Sequence, residues 1–506
     1  MLLYSLSLLV PACRAPAPPA DTLRVVVDAA PETLDRRYTL SATAQRIASL
    51  IAPGLVRIAD DGSIAPDLAE SFERIGEKRY RFVLREGLRF HDGRPLEAAD
   101  VVYTYGSLKD PEAGSPLGPK YQAIARVEAI DARTVEIELA EPFAPILLDL
   151  TMGIVPRPAS GEGPGAREHP IGAGPFRFAG RPDEETIVLE AYEDHHAGRP
   201  GVERLVFTVV RDETTRVLAA LHGEIDLLPG GVSPILLPRM ARSELLEVEQ
   251  RPGPGYAYLA FNLDHPLLAR PEVRRAIAHA IDREALVRFK FKGAAKLADS
   301  MLPAGHWAHR ASAAPAYDPA KARALLDAAG LPDPDDDGPE VRFRISYKTS
   351  TDRFRKSVAL VLAAQLEAVG IGVDLQAYEW GTFYGDVKRG RFEIITLKWT
   401  PVIEPHLYQW VFHQDSIPSE ENEWTGGNRG AYRNPEVDRL IDEAARELDR
   451  ERRAALYAEV QEHLARDLPY VSLWHEDQLA IVHRRTEGFE LSPFGFFTPL
   501  AGVSLP

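Results

Sequence analysis

The sequence predicts an α/β protein of two or three domains, and three observations predict it. At 506 residues the chain exceeds what one hydrophobic core organises. Short strands with β-branched or alternating patterns recur along it, interleaved with helices of 3.6-residue periodicity. Its hydrophobic fraction of 45% and charged fraction of 26% are those of a folded globular protein and not of a disordered one.

The first element is an apolar run at residues 2–10, followed by Pro11-Ala12-Cys13. It is too short to span a bilayer but has the length of a signal-peptide centre. Val10-Pro11-Ala12-Cys13 resembles a bacterial lipobox, in which the cysteine is lipidated. It departs from that pattern in its Pro11 and in having no Lys or Arg before the run. The other reading is a greasy N-terminus on a protein that stays in the cytoplasm. Residues 14–20, rich in Pro and Ala, read as a tether. Cys13 is the single cysteine, so no disulfide forms within the chain, which suits an oxidising periplasm. The net charge of −16 argues against a nucleic-acid partner.

Beyond the tether, Leu23-Arg24-Val25-Val26-Val27 reads as a buried strand. Residues 79–84 and 134–139 alternate apolar with polar and fit an antiparallel meander with one wet face. Residues 271–288 read as one amphipathic helix opened by Pro271. Asp318-Pro319 caps a helix over 321–329 that stops at Gly330. Residues 357–369 form another helix, ended by Gly370 and followed by a strand at 371–375. A late helical pair covers 435–448 and 452–467. Residues 156–174 and 331–339 are breaks dense in Gly, Pro and Asp.

Catalytic constellations are poor. The chain has no Gly-x-Ser-x-Gly elbow, no His-Glu-x-x-His motif and no P-loop. Gly161-Glu162-Gly163-Pro164-Gly165 lacks the Lys-Ser/Thr ending of a phosphate cradle and reads as a loop. The acidic run 333–337 lacks calcium-loop spacing. His195-His196 and the pair His306 and His309 read as solvated loop histidines ahead of metal ligands. No cofactor, metal or enzymatic activity is expected.

What the chain does carry is a series of ordered segments. Ala69-Glu70-Ser71-Phe72-Glu73 is followed by Phe82-Val83-Leu84-Arg85-Glu86-Gly87-Leu88-Arg89-Phe90-His91-Asp92-Gly93 and Ala99-Asp100-Val101-Val102. Pro170-Ile171-Gly172-Ala173-Gly174-Pro175-Phe176, Ala220-Leu221-His222-Gly223-Glu224-Ile225-Asp226 and Phe261-Asn262 come next. Val273-Arg274-Arg275-Ala276-Ile277-Ala278-His279-Ala280-Ile281-Asp282-Arg283 follows, then residues 321–330, 365–376 and 379–399, and residues 468–474 close the series. Together they resemble the family 5 extracellular solute-binding proteins of ABC importers, the oligopeptide, dipeptide and nickel-binding group.

The resemblance implies a two-lobe periplasmic binding protein fold, of Venus-flytrap type, with an inserted third subdomain and two crossing hinge strands. Residues 21–51, 171–258 and 484–506 would form lobe I, 52–170 the inserted subdomain, and 259–483 lobe II. Ligand would be buried between the lobes on closure. In the family's peptide binders an Asp shortly after a Trp pairs with the ligand's α-ammonium. Aligned on Trp399, that place falls on Val402, and Glu404 is the nearest carboxylate. Either Glu404 takes the role or the ligand has no free N-terminal amine. By position, Tyr256, Tyr258, Trp380, Tyr384 and Thr396 are further cleft candidates, each of which fits an ordinary core position equally well. Asp35 falls where the first strand-to-helix loop nears the cleft, or serves as a helix cap.

The expected function is therefore a monomeric importer subunit, lipid-anchored through Cys13 in the periplasm or cell envelope. It would deliver peptides or peptide-like solutes to a membrane permease and ATPase. The alternatives are a non-peptide ligand on the same fold (a glycoside, an opine or a metal chelate) and a sensory or chaperone-like binding protein uncoupled from import.

Overall fold

The computed structural model describes residues 21–158, 169–335 and 338–506. The lipobox with Cys13, the tether and the Gly161–Gly165 loop lie outside the described residues, as does part of the acidic run. The β-branched residues of Thr22–Val27 form a strand that runs parallel to Arg204–Val209 and, on its other side, to Leu227–Pro229. All of it but Arg24 is buried, as an apolar parallel strand covered on both faces should be. Arg24 is held by Asp226, whose carboxylate accepts its Nε at 2.9 Å and the Nε of Arg485 at 2.7 Å. The fully buried Asp226 thus ties the Gly-Glu-x-Asp segment to both the first strand and the C-terminal stretch. Thr186–Ala191 and Phe176–Gly180 extend this half of the sheet in antiparallel fashion.

A separate four-stranded antiparallel sheet belongs to the intervening residues. Arg79–Leu84 and Thr134–Leu139 form as predicted, with alternating burial. They do not follow one another as a meander. The order is Ala69–Arg74, Arg79–Leu84, Thr134–Leu139, Ile124–Ala129, two hairpins with the helix Ala98–Lys109 between them in sequence. That helix opens on a capping box of Glu97 and Asp100 and buries Val101 and Tyr105 against Phe82 and Ile137. The Gly172-Ala173-Gly174 signature packs the chain leaving this unit against Leu50 and Ile51, where the chain enters it. A Cβ on Gly172 would fall 2.1 Å from the carbonyl oxygen of Ile51, and one on Gly174 2.2 Å from that of Leu50. Only glycine permits that approach. The imidazole of His91 closes the contact, its Nε2 3.0 Å from the Gly174 carbonyl.

In the last lobe Phe343–Ser350 lies parallel to Ile371–Tyr378 and to Ile394–Trp399. The single helix expected over 271–288 is broken. Pro271–Ala280 is helical, Ile281 is extended at φ −97° and ψ 115°, and Arg283–Leu286 starts anew. The cause is Asp282: its carboxylate accepts from the Ala285 amide at 2.8 Å and its own amide donates to Gln365 Oε1 at 3.1 Å. The next helix starts earlier than expected, spanning Arg353–Glu367 behind the cap Asp352. The helices Pro319–Ala328, Pro435–Arg446 and Arg450–Asp467 form close to their expected limits.

Two long antiparallel strands, Leu246–Phe261 and Tyr470–His483, join the halves into one eleven-stranded mixed sheet. Their outer parts, Leu246–Arg251 with Gln478–His483, pair beside Leu227–Pro229. Their inner parts pair beside Ile394–Trp399. The register slips between Arg251 and Gly255, where Pro252-Gly253-Pro254 faces Asp477. This irregularity marks the crossing between lobes.

Candidate functional site

A cleft of about 770 Å³ opens where the two lobes meet over the crossing strands. Its walls follow from topology. In open α/β sheets, ligands bind outside the carboxyl ends of parallel strands. Each wall here is such an end: Val26–Asp28 after the first strand, Arg211–Thr214 after Arg204–Val209, Gly230–Pro234 after Leu227–Pro229, and Thr351–Arg355 after Phe343–Ser350. The floor is made by the crossing strands and their neighbour. Gly255, Ala257, Thr396, Lys398, Thr400, Trp474 and Glu476 present side chains or backbone to it.

Strand alternation decides which residues these are. A second register slip leaves Leu473 as an extra residue opposite Ala257 and Tyr258, so Leu473 and Trp474 both line the cleft. Lys398 Nζ and Glu476 Oε2 meet at 2.5 Å across the floor. Thr396 Oγ1 is hydrogen-bonded to Tyr347 OH at 2.8 Å. On the wall, Asp212 and Asp352 cap the helices Glu213–Leu221 and Arg353–Glu367, accepting from the amides of Thr215 and Arg355. Arg216 donates to the carbonyls of Val210, Arg211 and Gly231 and so holds two wall segments together.

Of the residues singled out from sequence, Thr396 lines this cleft. The others lie elsewhere. Tyr256 and Tyr258 are 2% and 1% exposed, on the opposite face of the sheet. Tyr258 stacks on Tyr470 with ring centroids 4.2 Å apart, and Tyr256 OH meets Ser472 Oγ at 2.8 Å. Burial pushes both phenol pKa values up. Trp399 joins the same layer, stacked 6.2 Å from Tyr258 and under the guanidinium of Arg429. Val402 is 1% exposed in that core. Glu404 is ion-paired with Arg453, and its Oε1 also accepts from the His406 amide at 3.2 Å. Trp380 and Tyr384 stack on one another at 5.3 Å, with Arg355 over Trp380 and Arg429 over Tyr384. They form the rim beyond Arg355, not the cleft wall. Asp35 caps a 3-10 turn and pairs with Arg37 at 2.7 Å.

Sequence reasoning missed Arg46, Arg353, Arg355 and Trp474. Arg353 and Arg355 had a usable signal, since they follow a strand and open a helix. Arg46 sits in the short helix Ala42–Ser49 and had none. The histidines form no metal set. The His195 and His196 rings lie 4.4 Å apart, His306 Nε2 is 2.9 Å from the Ile403 carbonyl, and His309 Nε2 is 3.0 Å from Asp299. Among the described residues, no group of three or more His, Cys, Asp or Glu converges to hold a metal ion. None of the described helices is long and apolar enough to cross a membrane.

Comparison with known proteins matches this architecture. Residues 63–416 match the family described as bacterial extracellular solute-binding proteins, family 5 Middle. A probable di/tripeptide-binding protein of Pseudomonas aeruginosa is 29% identical, covering 94% of this chain and 94% of its own. The oligopeptide-binding protein AppA of Bacillus subtilis, solved with a nonapeptide, superposes with a TM-score of 0.81 at 24% identity, covering 96% of this chain and 99% of its own. NikZ of Campylobacter jejuni, solved with Ni(L-His), superposes at 0.83 and 24% identity, covering 96% and 100%. The chain belongs to the family 5 extracellular solute-binding proteins. It is a substrate-binding component of the ABC-transporter type and not an enzyme.

Proposed function

We propose that this solute-binding protein captures peptides or peptide-like solutes in the interlobe cleft and delivers them to a membrane permease and its ATPase. The observation that carries the reading is the cleft itself. It is the size of a small-ligand site, and its walls come from two lobes linked through the crossing strands, so hinge closure can bury what enters. The likeness to a di/tripeptide-binding protein over nearly the full chain supports the peptide class. The same reading puts the protein outside the cytoplasm, anchored by a lipid on Cys13. It also moves the lobe boundary from the expected 258/259 to the Pro252-Gly253-Pro254 irregularity, because Tyr256–Phe261 pair with Ile394–Trp399. The test is thermal unfolding of the purified protein with a peptide library, alongside mass spectrometry of any solute that co-purifies. Peptides should raise the melting temperature. If none does while a sugar or metal chelate does, the peptide class is wrong.

A second reading keeps the fold and changes the ligand to an opine, a glycoside or a metal chelate. What favours it is the amine-binding position. Val402 is apolar and buried, and Glu404 is already neutralised by Arg453.

A further inference from the structure

The cleft walls carry charges in two conditions. Most carboxylates are already committed. Asp212 and Asp352 accept helix-opening amides, Glu213 accepts from the Ser233 amide, Glu476 is paired with Lys398, and Asp477 accepts from Gln250 at 2.7 Å. Three arginines are not committed. Among the described residues the guanidinium of Arg46, in the first lobe, has no hydrogen-bond acceptor and no ion pair; it lies beside Gly495 and 6.0 Å from the centre of the Phe497 ring. Burial lowers its pKa, and the Asp28 charge only partly offsets this. Across the cleft, among the described residues, Arg353 has no ion pair, and Arg355 has the face of Trp380 but no anion. A guanidinium drawn out of water without an acceptor is costly. Arg46 and Arg355 are half-buried and Arg353 is exposed, and together they line the cleft from both lobes as a receptor for anions.

We infer that the ligand is a peptide-like solute bearing more than one acidic group, gripped by Arg46 from one lobe and by Arg353 and Arg355 from the other, and that its binding requires no free α-ammonium. The inference rests on the cleft being the ligand site, as proposed above. It adds the ligand's charge class and ties closure to it, because an anion that bridges both lobes favours the closed arrangement over the open one. The second half follows from the opposite accounting. Val402 offers no charge, Glu404 is spent on Arg453, and among the described residues Asp28 is the one wall carboxylate without a hydrogen-bonding partner, set beside Arg46.

The test is titration calorimetry on the full chain with four probes: glutamyl-glutamate, N-acetyl-glutamyl-glutamate, alanyl-alanine and N-acetyl-alanyl-alanine. Both acidic probes should bind at least about tenfold more tightly than their alanyl counterparts, and acetylation should change Kd by less than about threefold. Arg46→Ala should weaken the acidic probes about tenfold or more without lowering the melting temperature of the free protein, and Arg46→Lys should fall between. Raised salt should weaken the acidic probes selectively. Loss of binding on acetylation would overturn the inference and move an α-amine to Asp28. Equal affinity for alanyl-alanine would overturn it and leave the peptide reading standing. If none of the four binds, both fall.

Discussion

The inner sheet of the second lobe has two faces built from the same strands, and they differ in almost everything but sequence position. On the cleft face stand Gly255, Ala257, Thr396, Lys398 and Glu476, small or polar, with the aromatic Trp474 beside them. On the other, one residue along each strand, stand Tyr256, Tyr258, Leu397, Trp399 and His475, packed into an aromatic layer with Tyr470 and Tyr408. The comparison teaches that the aromatics of the far face hold the lobe together, while ligand is met by their neighbours along the same strands. Stability and recognition are separated by a period of two.

Four experiments break or sharpen that separation. The largest effect is expected for Tyr258→Ala, which removes a fully buried ring and should cost about 3–5 kcal/mol. Denaturant titration should register the loss, while the remaining folded protein binds ligand with unchanged Kd. Unchanged stability with weakened binding would mean the faces are assigned the wrong way round.

The second experiment is pH. His475, on the core face, has its pKa lowered to about 4 by burial, as does His91 at the subdomain contact. A histidine whose folded pKa is depressed is protonated more readily in the unfolded chain. Its contribution is therefore complete above the unfolded value near 6.5 and drains away as pH falls towards about 4. Each such group removes up to about 3 kcal/mol over the full window. Melting temperatures should fall from pH 7 to pH 5, and His475→Gln should flatten the profile. A profile unchanged by that substitution would remove His475 from the account.

Third, Glu404→Gln leaves the Arg453 guanidinium without its anion and should cost about 2 kcal/mol with no change in ligand selection. A selective loss of amine-bearing ligands would instead return Glu404 to the recognition set. The smallest effect belongs to Glu476→Gln on the cleft floor. Its pair with Lys398 is partly exposed, so stability should change by less than about 1 kcal/mol. Freed Lys398 should tighten acidic ligands a few-fold, which calorimetry reads directly.

Much of the frame was legible beforehand because local chemistry determines it. Asp318-Pro319 and Gly330 bound their helix. Asp282 was legible in principle as a cap, yet the apolar stripe running through it suggested one helix. A side chain that can accept its own helix's amides outweighed the periodicity.

The candidate site was far less legible. Alternation in Tyr256-Ala257-Tyr258 and in Thr396-Leu397-Lys398 states that neighbours face opposite ways, but not which way is outward. That was decided by which helices cover the sheet: Pro435–Arg446 and Arg450–Asp467 close over the aromatic side, and the strand ends on the other side meet the first lobe. The sequence by itself determined the family, the strands and helices, and the glycine, aspartate and proline positions that bound them, because each rests on contacts within a few residues. Tertiary structure alone decided that Val402 is buried, that Glu404 belongs to Arg453, and that Arg46 stands across a cleft from Arg353 with no anion on it among the described residues. Those facts depend on chain segments dozens to hundreds of residues apart, and a charge acquires its role from whatever the fold brings within a few ångströms of it.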